Sequence, residues 1–155
     1  MSSISKAGVW IDCKQLLSET YKLVGYLNNA DKVRIGDKLL QYNIDMINHF
    51  SMAYNRGDEH LVYDNGRKIY DVIIKGCKME EVNALQASFE SYKALIELTF
   101  ENLDLSRMSQ EKRQKKETFF LTQLGKIEQG ITKWSRSIYR QVTLSVTDRV
   151  QTHNL

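Results

Sequence analysis

Apolar side chains recur along most of this chain at spacings of three and four residues, the repeat of an amphipathic helix face. In a first segment, from about Ser5 to Asn28, Trp10, Cys13, Leu16, Leu17, Leu23, Val24 and Leu27 share one face. Asn28-Asn29 reads as its stop, because asparagine tolerates the left-handed conformation common at helix C-termini. A second segment runs from about Asp31 to Asn55, with a break at Gly36 and Asp37 placed to cap a new start. Its stripe is Leu40, Ile44, Ile47, Phe50 and Tyr54, and Arg56-Gly57-Asp58 ends it with turn residues. A third runs from about Lys78 to Leu105 on Val82, Leu85, Phe89, Tyr92, Ile96, Phe100 and Leu103. After the connection Leu105 to Met108, Ser109 caps a fourth helix with Glu111 in its first turn. Phe120, Leu124, Ile127, Ile131, Trp134 and Ile138 form its heptad-like seam, which predicts an end at about Gln141.

The stretch from His60 to Lys75 breaks this rhythm. Leu61-Val62-Tyr63 and Ile69 to Ile74 are rich in β-branched and aromatic residues and flank Asp64-Asn65-Gly66. Asn-Gly suits a tight hairpin because both turn positions need positive φ. The reading is a β-hairpin over about 60–75, with an extra helical turn or two kinked at Gly66 as the alternative. From Val142 to Leu155 the pattern weakens, and a flexible or partner-ordered tail over 142–155 is expected. The fold expected is all-α: an antiparallel up-down four-helix bundle over residues 1–141, with a small β-hairpin insertion between helices 2 and 3.

Composition sharpens this picture. The 155 residues suit one domain, and 42% hydrophobic content is enough for a core. There is no proline, so nothing interrupts long helices. Cys13 and Cys77 are too few for a disulfide framework and read as buried free thiols. The polar start from Met1 to Gly8 lacks the apolar stretch of a signal peptide, and no run approaches the roughly 20 apolar residues of a membrane span. A cytoplasmic protein without membrane association is the expectation.

Catalytic chemistry finds little to stand on. His49, His60 and His153 fall on different elements with no cysteine at ligand spacing, so no metal site is expected. No Glu-x-x-His occurs for a di-iron bundle site, the glycines are isolated, and no nucleophile turn is visible. Glu80-Glu81 reads as a solvated first turn of the third helix, since adjacent helical residues do not face each other. No cofactor and no enzymatic activity are expected.

Charge is more informative. The net charge is +3, yet residues 107–140 carry nine Lys or Arg against three Asp or Glu, and the remainder is net acidic. At 100° per residue, Lys115, Lys126, Lys133, Arg136 and Arg140 fall within about 80° of one another on the fourth helix. Their mean direction lies roughly 140° from the apolar seam, and Lys112, Arg113 and Lys116 add charge at the helix start. Such a stripe could track several phosphates of a nucleic acid; it could equally be a solvated face. Trp134, a possible stacking platform for bases, falls on the seam and is assigned to the core. Tyr21, Tyr26 and Tyr42 sit beside the stripes, where half-exposed aromatics suit either an interface or a bundle edge.

Met108-Ser109-Gln110 opens a long helix after Glu97-Leu98-Thr99-Phe100-Glu101-Asn102-Leu103, and Leu124-Gly125-Lys126-Ile127-Glu128-Gln129-Gly130-Ile131-Thr132-Lys133-Trp134 follows. With looser matches at Tyr21 to Leu27 and Ile44 to Tyr54, this pattern resembles the four-helix-bundle superfamily of the accessory variability protein of diversity-generating retroelements. More loosely, it is similar to the ribosomal-RNA intervening-sequence bundle proteins, although their Asn-Ile-Ala-Glu-Gly signature is absent. The resemblance covers about residues 10–55 and 79–140. It implies a homo-oligomer, a pentamer in that family, whose basic surface engages a reverse transcriptase and its RNA. The functional expectation is therefore a non-enzymatic accessory protein that binds nucleic acid, RNA in preference to DNA, through Lys112, Arg113, Lys115, Lys116, Lys126, Lys133, Arg136 and Arg140. The alternative is a protein-interaction or structural module with no nucleic-acid role.

Overall fold

The computed structural model describes the backbone of residues 8–55, 61–64, 67–70 and 72–153, and the side chains of 8–55 and 79–138. Among the described residues the chain is all-α apart from one short ladder. Four long helices, α1 (Gly8–Gly25), α2 (Asp37–Asn55), α3 (Val72–Asn102) and α4 (Gln110–His153), carry the fold. Two strands, β1 (Leu61–Asp64) and β2 (Arg67–Tyr70), pair antiparallel with Leu61 opposite Tyr70 and Asp64 opposite Arg67. The Asn65-Gly66 turn lies outside the described residues. So do the side chains of Cys77 and Arg140.

Each helix packs on two others: α1 on α2 and α4, and α3 on the same two. Contacts fix the directions. Trp10 meets Phe50 and Thr20 meets Asn43 across α1 and α2. His49 meets Glu81 across α2 and α3, where Asn43 and Tyr92 also share the Thr20 hydroxyl, and Phe100 meets Phe120 and Lys93 reaches Glu128 across α3 and α4. Lys116 reaches Glu19 and Gln123 reaches Asp12 across α4 and α1. In every pair the residue number rises on one helix as it falls on its neighbour, so neighbours are antiparallel.

The core follows the predicted stripes closely on α1, α3 and α4. Cys13, Leu16, Leu23 and Leu27, then Val82 through Phe100, then Phe120, Leu124, Ile127, Ile131 and Ile138 are all buried. On α2 the buried face is Leu39, Asn43, Met46, Phe50 and Ala53, one residue round from the expected stripe except at Phe50. The physical reason is Asn43. Its amide donates to the Cys13 carbonyl at 3.1 Å and its Oδ1 faces the Thr20 hydroxyl at 3.1 Å, so a polar residue is satisfied inside the core. A hydrophobicity pattern skips such a position.

Element ends depart from expectation in four places. Asn28 is extended (φ −70°, ψ 168°) and its side chain accepts from the Asp31 amide at 2.8 Å, so it caps the short turn Asn29–Asp31 instead of closing α1 in the left-handed region. There is no break at Gly36: Lys32–Gly36 forms a π-helical turn leading straight into α2, and Asp37 is helical, not a cap. The insertion is shorter than 60–75, because Val72 to Lys75 already belong to α3. β-branched residues cost a helix only tenths of a kcal/mol each, so the run at Ile69 to Ile74 misleads a propensity argument. Finally, α4 continues to His153, into the 142–155 segment expected as a tail. That segment has weak apolar patterning but no glycine or proline to stop a helix already nucleated. Ser109 does cap α4, accepting from the Lys112 amide at 3.2 Å.

Candidate nucleic-acid interface on the fourth helix

The packing of α4 against its neighbours divides the basic residues into two groups. At the helix start, Lys112 donates to the Tyr26 hydroxyl and lies 4.7 Å from the centre of its ring. That hydrogen bond, with the nearby charges of Lys112 and Lys116, holds the phenol below its ordinary pKa. Lys116 lies 5.8 Å from the same ring, is largely buried, and pairs with Glu19 at 3.5 Å. Arg113 donates to the Phe100 carbonyl at the C-terminal end of α3. Lys115 is exposed and pairs with Glu111 one turn back at 3.2 Å. Three of these four cations thus fasten α4 to α3 and to the α1 end; Tyr26 is a clamp at the edge of the core. Tyr42 packs at that edge as well, while Tyr21 is exposed.

Further along, Lys126, Lys133 and Arg136 are exposed, and none is in a salt bridge among the described residues. Here α4 passes the start of α1 closely. A Cβ on Gly130 would run into Val9 Cγ2, so glycine permits the approach. Beside this crossing opens a shallow cleft of about 510 Å³, lined by Gly8, Val9 and Asp12 of α1 and by Lys126, Gln129, Gly130, Lys133 and Trp134 of α4. A second depression of about 300 Å³ continues along α4 past Thr132 to Arg136.

Trp134 is half-buried. Its ring packs on Phe50 at 5.1 Å while another part of it lines the cleft, so the seam assignment holds on one side only. Asp12 is the acid in the cleft. Gln123, buried beneath, donates to its carbonyl at 3.0 Å, approaches its Oδ1 at 3.4 Å, and meets Gln15 at 3.1 Å. Burial raises the Asp12 pKa, and Lys126 and the Gln123 hydrogen bond offset part of that rise. Sequence reasoning found Lys126, Lys133 and Arg136 but missed Asp12, Gln129 and the glycine crossing. These become neighbours only through the register of α1 on α4, for which a single chain offers no signal.

Other candidate residues are placed plainly. Glu81 is not in a first turn, since α3 begins at Val72; its side chain is largely buried and meets His49 at 3.1 Å. Cys13 is fully buried, and burial with Asp12 nearby pushes its thiol up to about 12, so it is inert as a nucleophile. Among the described residues no three of His, Cys, Asp and Glu gather as a metal site, and no helix is long and apolar enough to cross a membrane. Compared with protein-family models, curated proteins and solved structures, the chain matches none.

Proposed function

We propose that the chain is a non-enzymatic accessory module: an antiparallel up-down four-helix bundle that holds a nucleic-acid backbone along the outer face of α4. In this reading Lys126, Lys133 and Arg136 make the phosphate contacts, and Arg140 continues their row in the sequence. The observation that carries it is the division of the stripe. The cations near the start of α4 are engaged by Tyr26, Glu19, Glu111 and the Phe100 carbonyl. The later ones stand exposed without a salt-bridge partner among the described residues, beside a concave surface. A solvated face needs charge of either sign, whereas a run of unpaired cations suits a polyanion. The resemblance to retroelement accessory proteins supports the same reading and adds an oligomer and a reverse-transcriptase partner to it.

The test is a salt series with purified protein and a generic RNA or DNA duplex. Binding should weaken steeply with salt, and replacing Lys126, Lys133 and Arg136 with alanine should lower the log–log slope by about 2.7, at about 0.9 per phosphate contact. An unchanged slope in the triple variant sinks the proposal. Light scattering on the same sample gives the assembly mass, and a monomer would remove the oligomer from it.

A further inference from the structure

We infer that the cleft between the start of α1 and the middle of α4 takes one unpaired base of a single-stranded nucleic acid, with the flanking phosphates on Lys126, Lys133 and Arg136. This rests on the nucleic-acid reading above and narrows it to a class of ligand.

The cleft is not built as a simple anion site. Beside Lys126 and Lys133 its lining holds a carboxylate, Asp12, which weakens its attraction for a bare phosphate. The same carboxylate, with the Gln129 amide beside it, suits the amino and imino donors on a base edge. Asp12 Oδ2 has no hydrogen-bond partner among the described residues, because Gln123 approaches Oδ1. Lys126 and Lys133 also line the cleft, and the rest is apolar or bare: Val9, the part of the Trp134 ring that reaches the cleft, and the backbone at Gly8 and Gly130. An aromatic group with polar edges fits this combination better than a phosphate does.

The cations sit on the same cleft as the acid. Lys126 and Lys133 lie seven residues apart on α4, about 10 Å along the helix, and both line the cleft. Arg136 follows in the adjoining depression. A strand crossing here would place a base inward and its phosphates outward. A duplex keeps its bases stacked and would need to flip one out at a cost of a few kcal/mol, so single strands should be favoured.

The test compares a short single-stranded RNA with the duplex of the same length, at one salt concentration, on wild type and on Gly8→Leu. A Cβ on Gly8, which lines the cleft, meets nothing within 4 Å, so a larger side chain has room to start there. Circular dichroism checks the fold, and Gln129→Leu on the exposed lip is a second plug. The plugs should weaken single-strand binding by about tenfold or more while leaving duplex binding unchanged. In a Trp10→Phe protein, where Trp134 is the one remaining indole, fluorescence should respond to the single strand and not to the duplex. Equal affinity of wild type for the two forms, or plugged proteins that bind the single strand as wild type does, overturns this inference and leaves the phosphate-binding reading standing. Failure to bind either form at low salt overturns both.

Discussion

Thr20, Asn43 and Tyr92 place three polar side chains at zero exposure in the centre of the core. Thr20 Oγ1 lies 2.6 Å from the Leu16 carbonyl, 2.7 Å from Tyr92 Oη and 3.1 Å from Asn43 Oδ1. Thr20 has a single hydroxyl proton, shared between the Leu16 carbonyl and Asn43 Oδ1, so Tyr92 must be the donor in its bond to Thr20. Burial accordingly keeps the Tyr92 phenol protonated far above its ordinary range. Because these partners come from α1, α2 and α3, the trio fixes how three helices register, which apolar contacts alone do not. Asn43→Ala should cost about 1–3 kcal/mol and Tyr92→Phe about 1 kcal/mol, read as shifts of the urea midpoint at constant slope. Two acids on α1 should respond to pH with opposite sign. Burial raises the Glu19 pKa, but the hydrogen bonds and charges of Lys22 and Lys116 outweigh it and leave the pKa low. Glu19 therefore stabilises the fold above its ordinary value of 4.5, and the contribution is lost as pH falls through the folded value. Asp12 is raised, so its contribution is present below 3.8 and is lost as pH climbs. Thermal melts at neutral and acid pH should show Asp12→Asn gaining stability at pH 7 with no gain in acid. Glu19→Gln should lose stability at pH 7 only.

At the scale of the element, two glycines set how helices meet. Gly130 abuts Val9, and a Cβ on Gly36 would sit 2.7 Å from Val24 Cγ1. Gly125, one turn before Gly130, faces open space. Gly125→Ala should stabilise by about 1 kcal/mol through helix propensity, while Gly130→Ala should destabilise and be rescued by Val9→Ala in a double-mutant cycle. The stripes of α1, α3 and α4 were legible in the sequence because their buried positions are apolar almost without interruption. The α2 face was not, because Asn43 is buried and polar while Leu40 and Ile47 lie on its flank. The same limit explains the ends: Asn28, Asp37 and Val72 have side chains compatible with two roles, and only backbone geometry separates them. The length of α4 is directly testable. Truncation after Gln141 should remove the helical ellipticity of residues 142–153, whereas a coil there would leave the helical signal unchanged.

For the molecule as a whole, one run of basic residues is divided in two: its start is engaged by neighbouring helices and its later part stands exposed. Its direction on α4 was legible, since charge and helical period suffice to place it. Which cations are engaged was not, because Tyr26, Glu19 and the Phe100 carbonyl lie 13 to 97 residues away in the chain. We propose that, while the start of α4 fastens the helices, the stretch from Lys126 to Arg136 meets the ligand. The most direct measurement is therefore a comparison of two triple variants for folding and for RNA affinity at low salt. Lys112→Ala/Arg113→Ala/Lys116→Ala should melt earlier yet bind RNA nearly as wild type does below its melting point. Lys126→Ala/Lys133→Ala/Arg136→Ala should melt as wild type does and lose most of its affinity. Equal losses of affinity in the two proteins, or none in the second, would contradict the account.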